Sequence, residues 1–348
     1  NYDGRISVAD MTQIGLIVLG KEKELTIVDT ADRIVTVKKP VERVVICETA
    51  YSAEVVRMLG KQDIIVGVDS FTKQREVYYP KLSKLPSIGY PVDAETILSL
   101  HPDLVFTWSY FLSDLDALPE DIPLVCLHFY QSPGFEEKIM KVGYILGEKE
   151  RATEFNNDFY GKYINLIKER TAGLSEEEKP KVYHESFMGD YSVTSVERPI
   201  LGAINIFADV TGTFPEVDPE EVAAKNPDII VKSISKGYGG VKEYDYDTDD
   251  PSELKAVCES FMSRPGLGGV EAVKTGKVYI RYAHLHGSLH QPVGYAYMVK
   301  WFHPDLFEDL DPQAIHQELI DRFCPGLDFD VYKHGVFVYH PEEHPDGR

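Results

Sequence analysis

Two similar α/β lobes joined by one long helix are what this chain predicts, and three observations carry that prediction. First, Val92-Asp93-Ala94-Glu95, a short helical stretch and His101-Pro102-Asp103-Leu104-Val105-Phe106 recur as Val217-Asp218-Pro219-Glu220, a similar stretch and Asn226-Pro227-Asp228-Ile229-Ile230-Val231. The offset is 125 residues (93 to 218, 102 to 227) without a gap, too long for a solenoid period and suited to a lobe. Second, short apolar runs alternate with helical periodicity around both copies, the pattern of βα units and parallel sheets. Third, residues 149–172 keep apolar spacings of three and four through Phe155, Phe159, Tyr163, Leu166 and Ile167, with Gly161 as the one internal breaker.

The elements follow in order. A hairpin spans 25–37, then come a strand over 43–47, a helix over 52–59 and a strand over 64–68. In the first repeat an acidic turn starts a helix, and Pro-Asp stops it and opens the strand 104–108. The strand 124–128 completes a lobe expected over 24–148, in the doubly wound order 2-1-3-4. The bridging helix is expected over 149–174. The second lobe, 175–302, opens with a charged linker and the strand 181–186, continues with the second repeat and the strand 277–281, and ends in a helix from about 293. Residues 303–348 form an extension expected to pack back on the body.

The first 23 residues differ in character. Asn1-Tyr2-Asp3-Gly4-Arg5-Ile6-Ser7-Val8-Ala9-Asp10 matches positions 3 to 12 of a calcium loop: Asn1, Asp3, the Arg5 carbonyl and Asp10 supply oxygens, Gly4 makes the turn and Ile6 pins the loop. Asp10 stands where Glu usually closes such a loop. With the apolar stretch Met11–Gly20, this resembles half of a dockerin-type repeat; the alternative is an N-terminal cap followed by an amphipathic helix.

The wider wording resembles the substrate-binding proteins of ABC importers for iron-siderophores, haem, corrinoids and metal ions. Besides the repeats, Thr26 to Val37 and Pro40 to Val45 resemble that family's opening hairpin and first strand. Arg264-Pro265-Gly266-Leu267-Gly268-Gly269-Val270 with Val273-Lys274-Thr275-Gly276-Lys277-Val278-Tyr279 resembles its short-helix and strand segment, and Pro292 to Tyr295 with Lys300 to Phe307 its C-terminal helix. The resemblance covers roughly residues 24–340. It implies the class III periplasmic-binding-protein fold, two Rossmann-like lobes joined by a single long helix. It also implies a monomeric extracytoplasmic receptor that captures a metal complex between the lobes and passes it to a permease and ATPase. The dockerin-like start implies an extracellular setting, a cell-surface tether and bound calcium.

Composition is consistent with this. A net charge of −21 and a pI near 4.9 argue against nucleic acid and anionic membranes as partners. No apolar run approaches the ~20 residues that cross a bilayer, and no signal peptide is visible; because the chain opens inside a motif, an export signal or anchor is expected upstream. Cys47 and Cys126 fall on strands separated by a third and are expected to be free and buried. Cys258 and Cys324 are left open as a pair. No enzyme motif is complete: His184-Glu185 lacks a second His at 188, no Gly-x-Ser-x-Gly occurs, and Gly237-Tyr238-Gly239-Gly240 lacks the following Lys of a P-loop.

In open α/β sheets ligands lie at the carboxyl ends of the strands. Those positions supply Tyr51, Trp108, Tyr110, Tyr130, His184, Phe187, Tyr238, Arg281 and Tyr282 as candidate contacts. Aromatic rims with a few polar groups suit a large planar or greasy chelate of iron or cobalt. In Ala283-His284-Leu285-His286-Gly287-Ser288-Leu289-His290, His284 and His286 fall on one side of an extended segment, and a turn at Gly287 returns His290 to them, giving three imidazoles for a metal centre or for hydrogen bonds to a chelate. The resembled branch often has Gly-Pro-Arg here; Gly287-Ser288-Leu289 stands instead, which disfavours an anionic siderophore. No catalytic cofactor is expected.

Overall fold

The computed structural model describes residues 8–48, 51–130, 134–194, 199–212, 214–237, 241–243 and 245–348. The chain divides into two compact units, 1–160 with 321–327, and 161–320 with 328–348.

Unit one begins with helix α1 (Val8–Leu19), a helix on either reading of the start, and the antiparallel hairpin β1 (Glu24–Val28) and β2 (Ile34–Lys38). Asp29 holds the hairpin turn by accepting from the backbone of Ala31 and Arg33 (2.9 and 3.0 Å), while Arg33 reaches the Leu124 carbonyl (2.7 Å). The hairpin thereby covers a sheet edge that would otherwise be open. The sheet comprises β3 (Val44–Ile46), β4 (Ile65–Gly67), β5 (Leu104–Thr107) and β6 (Leu124–Cys126), all parallel in the order β4-β3-β5-β6. This is the expected 2-1-3-4. Helices α2 (Tyr51–Met58), α3 (Ser70–Lys73), α4 (Ala94–Ser99) and α5 (Phe135–Leu146) connect or cover the strands.

A continuous helical run then carries the chain into unit two: α6 (Lys149–Glu154), a π-helical stretch Phe155–Tyr160, and α7 (Gly161–Thr171). The unit boundary falls where the π stretch ends. The extra residue per turn, a feature that sequence spacing did not reveal, goes with three buried rings, Phe155, Phe159 and Tyr160.

Unit two contains β7 (Lys181–Glu185), β8 (Ile204–Asn205), α8 (Pro219–Lys225), β9 (Ile229–Ile234), α9 (Ser252–Met262), α10 (Glu271–Lys274), β10 (Val278–Tyr282), α11 (Gln291–Phe302), all but the last turn of α12 (Pro312–Phe323) and β11 (Val338–Tyr339). Its sheet order is β11-β10-β9-β7-β8, parallel except for β11. The 303–348 extension thus supplies an antiparallel edge strand. Its residues 321–327 belong to unit one, to which the chain returns. Burial explains the return: Phe323 meets Phe155 and Phe159 at 5.1 and 5.5 Å between ring centroids.

The 125-residue repeat is a repeated device. Asp93 and Asp218 cap α4 and α8, accepting from the amides of Glu95 and Glu220 (3.0 and 2.8 Å). His101 and Asn226, at matching places, both turn with positive φ (48° and 45°). Asp103 then accepts from the amides of Glu42 and Arg43 (2.9 Å each), and Asp228 from that of Lys181 (2.8 Å). Each Pro-Asp therefore ties its own strand to the start of the neighbouring one. All four cysteines are free and buried. The Cys258 thiol points to the Val278 carbonyl and Cys324 lies by the Tyr78 hydroxyl, which answers the open pairing.

Candidate functional site

In unit one the strand ends converge on an aromatic patch. Trp108, directly after β5, has Tyr110 and Tyr130 edge-on at 5.3 and 5.6 Å, Phe111 stacked at 6.0 Å and Tyr51, the first residue of α2, tilted at 6.4 Å. Tyr110 is 55% exposed and donates to the Tyr130 hydroxyl at 3.2 Å. His128 stacks on both tyrosines (6.0 and 5.4 Å). Its Nε2 accepts from the Ser109 amide at 3.2 Å, which places the proton on Nδ1; burial, then Lys138, pushes its pKa down, so it is neutral. The Trp108 Nε1 is buried and without an acceptor. The patch therefore combines π faces, phenols and one unused N–H donor, a surface for a large ligand with acceptor oxygens.

Beneath it lies a buried acid. Glu48, just past β3, is 0% exposed and accepts from the Ser52 amide in the first turn of α2. Burial is the chief cause that raises its carboxyl pKa to about 8, with Asp69 and Glu54 adding repulsion against the lowering bonds from Ser52. Lys138, also buried, donates a hydrogen bond to the His128 carbonyl (2.7 Å), and burial pulls its pKa down to about 8.

Unit two presents a different strand-end chemistry. Glu185, at the end of β7, is held by Lys232 at 2.8 Å and by both terminal nitrogens of Arg264 at 2.7 and 3.0 Å, and it also accepts from the Tyr183 hydroxyl and the Tyr191 amide at 3.0 Å each. Lys232 further donates to the carbonyls of Ser186 and Gly189 (2.8 and 3.1 Å). This satisfied network shapes the loop after β7. A lysine inside the apolar run Ile229–Ile234 was the signal that could have revealed it, since a buried ammonium needs a partner.

Several predicted contacts lie deeper than a rim. His184 is inside β7, not after it, with its ring 6.2 Å from Phe302. Arg281 is within β10 and 3% exposed; Tyr282 is 1% exposed and donates to the Glu243 carbonyl at 2.7 Å as part of the core. Strand β10 runs one residue further than the expected 277–281, to Tyr282, which draws that residue into the sheet beside Arg281. Phe187 is half-buried against Phe214 at 5.2 Å. Tyr238, Asn1, Asp3 and Arg5 lie outside the described residues, as do the side chains of Asp10 and His286.

The histidine segment is not extended. Ala283–His286 and Ser288–His290 are two 3₁₀ turns that lead into α11. The left-handed residue is Ser288 (φ 49°), while Gly287 has φ −123°. The turns still bring His284 and His290 together, rings edge-on at 4.6 Å, and both are buried. Gly294 permits this: a Cβ there would lie 1.8 Å from the Leu285 carbonyl oxygen, so α11 seats against the first turn only without a side chain. Sequence reading missed Tyr246 and His316: the Tyr246 hydroxyl is hydrogen-bonded to both His290 Nε2 and His316 Nε2. Burial, then His290 and His284, keeps His316 well below the usual imidazole range.

A groove of about 880 Å³ lies at the other end of the unit-one sheet, lined by Arg33, Asp103, Asp121 and Pro123 among others. It sits at the amino ends of β5 and β6, away from the converging side chains, and no role is assigned to it.

A family model described as periplasmic binding protein matches residues 44–282. An iron(3+)-hydroxamate-binding protein of Bacillus subtilis is 25% identical over 130 residues, 37% of this chain and 40% of that protein. A molybdate-binding protein of Haemophilus influenzae is 21% identical over 334 residues, 85% of this chain and 90% of its own length. The crystal structure of a TroA-like periplasmic binding protein from Veillonella parvula superposes with a TM-score of 0.72 at 23% identity, covering 91% of this chain and 99% of that one, a likeness of fold.

Proposed function

The chain belongs to the periplasmic binding protein family, and from that premise we propose that it is the receptor of an ABC importer for a metal chelate, an iron-siderophore, haem or a corrinoid. The observation that carries this reading is the Trp108 patch: five aromatic rings and a neutral imidazole at the carboxyl end of a parallel sheet, with a buried N–H donor that lacks an acceptor. A planar or greasy chelate matches the rings, and its oxygens match the donor. The relative named for binding iron(3+)-hydroxamate supports the reading.

Titration with a ferric trihydroxamate, haem and cobalamin, read by tryptophan fluorescence and native mass spectrometry, tests it. At least one should bind with micromolar affinity or better and be lost on Trp108→Ala. If none binds, the chelate reading fails. The contact of His284 with His290 and the relative named for molybdate favour a second reading, a receptor for a bare ion; Zn²⁺, Ni²⁺ and molybdate in the same titration decide between them.

Delivery uses a permease and its ATPase. Acidic residues, one Glu from each unit, dock into arginine pockets, as a chain of net charge −21 permits. Transport unaffected by charge reversal across the acidic surface would refute this. Calcium on Asn1, Asp3, Arg5 and Asp10, and the tether it suggests, are proposals that terbium luminescence with and without Asp3→Ala tests.

A further inference from the structure

Arg57 carries a buried charge whose two-nitrogen edge is unused. It lies on α2 and is 1% exposed. Its Nη1 donates to the Tyr78 carbonyl, and its guanidinium lies over the rings of Tyr78 and Tyr79, 4.2 and 4.8 Å from their centroids. Its Nε and Nη2 are buried and have no hydrogen-bond partner among the described residues. Those two nitrogens form the parallel pair that grips a carboxylate or phosphate. Arg33, in the same unit, has the same edge in use: its Nε and Nη2 both donate to Asp29 Oδ2, at 3.1 and 2.5 Å.

A guanidinium does not shed its charge in a protein, and a buried cation is costly unless it is both paired and hydrogen-bonded. The neighbours of Arg57 supply little of this. Cys324, beside the guanidinium, is a thiol whose pKa burial raises, so it is neutral. Glu54, one turn earlier on α2, adds opposite charge but also stands by Tyr79 with a second guanidinium, that of Arg75, and it reaches neither Nε nor Nη2 of Arg57.

Arg57 also forms part of the wall of a cavity of about 510 Å³, together with Gln62, Lys81, Lys84, Pro325 and Gly326, all within unit one. Among the described residues no carboxylate lines it. Lys81 and Lys84 are paired with Asp63 and Glu76, but as exposed pairs, which are worth little in water and exchange readily. The Gln62 amide donates to the Pro325 carbonyl at 3.3 Å, a long bond. Three cationic side chains and one weakly held amide therefore border a single recess.

We propose that this cavity binds a phosphate-type oxyanion, two of whose oxygens accept from Nε and Nη2 of Arg57 while Lys81 and Lys84 donate to the outer ones. The cavity shares no residue with the Trp108 patch, so the site stands apart from the chelate reading.

The test is a titration of the full chain with inorganic phosphate at pH 7 and fixed ionic strength, chloride making up the balance, read by calorimetry and at the Arg57 Nε–H resonance in ¹H–¹⁵N correlation. Saturable binding at millimolar concentration or below, with a shift of that resonance, is expected. Arg57→Met keeps an apolar side chain and should lose the binding. Lys81→Gln combined with Lys84→Gln, at two exposed positions, should weaken it about tenfold; this double variant decides the matter if Arg57→Met does not fold. No saturable binding by wild type overturns the proposal, and so does wild-type affinity in either variant. Trp108→Ala should bind phosphate as wild type does; loss there would assign phosphate to the aromatic patch and overturn the cavity site. Wild type that binds phosphate but no chelate leaves this site standing and removes only the chelate reading.

Discussion

Replacing Glu48 by Gln should remove a pH dependence from the stability of unit one. Gln keeps the size of the side chain and an oxygen to accept from the Ser52 amide, and loses only the ionisation. In the native protein the Glu48 carboxyl is raised from 4.5 to about 8, chiefly by burial. A carboxyl whose folded pKa lies above its unfolded one binds more protons folded than unfolded, so stability is greatest below pH 4.5 and declines as pH rises towards 8. With 1.36 kcal/mol for each pKa unit, the loss is ~1 kcal/mol at pH 5, ~3 kcal/mol at pH 7 and ~5 kcal/mol at pH 9, where it levels off. Urea unfolding of wild type and Glu48→Gln at pH 5, 7 and 9 reads this difference, with each unit's transition fitted separately. The variant should gain on wild type by ~2 kcal/mol between pH 5 and 7 and by ~2 more up to pH 9. A difference that stays flat over this range would refute the buried, protonated acid. The acid limb is a control with the opposite sign: His316, held below its usual range, makes unit two lose stability as pH falls below 6.5 in both proteins.

Other outcomes follow from single contacts. Trp108→Phe keeps the ring and removes the N–H, and should weaken chelate binding about tenfold in the fluorescence-independent mass-spectrometric titration; equal affinity would show that the donor is not used. Asp103→Ala should cost ~1–2 kcal/mol in calorimetry and more than Asp228→Ala, because Asp103 serves two amides and Asp228 one. No loss in either would remove the structural meaning of the repeat. Gly294→Ala should destabilise unit two by ~2–3 kcal/mol, since its Cβ cannot share space with the Leu285 carbonyl. A wild-type melting temperature would mean that α11 is not seated as described.

The sequence by itself determined the local and the parallel. Apolar runs punctuated by Pro-Asp specify strands, and the acidic residue before each repeat helix specifies its start, because strand burial and helix capping act over a few neighbouring residues. The order β4-β3-β5-β6 followed from the βα rule, and the aromatic residues Tyr51, Trp108, Tyr110 and Tyr130 followed from their places after strands. Tertiary structure decided what depends on partners far along the chain. Tyr282 and Arg281 sit at a strand end in sequence, yet the edge strand β11 pairs with β10 and the Glu243 carbonyl takes the Tyr282 hydroxyl, so both are buried. Glu185 gives no sign in sequence of its partners, because Lys232 and Arg264, which close on it, lie 47 and 79 residues away. His290 has the Tyr246 hydroxyl at its Nε2, and that hydroxyl also meets His316, neighbours that the histidine segment's own spacing does not record. Whether a histidine is a lone pair or a donor depends on the group at its other nitrogen, and no spacing within one segment records where that group comes from.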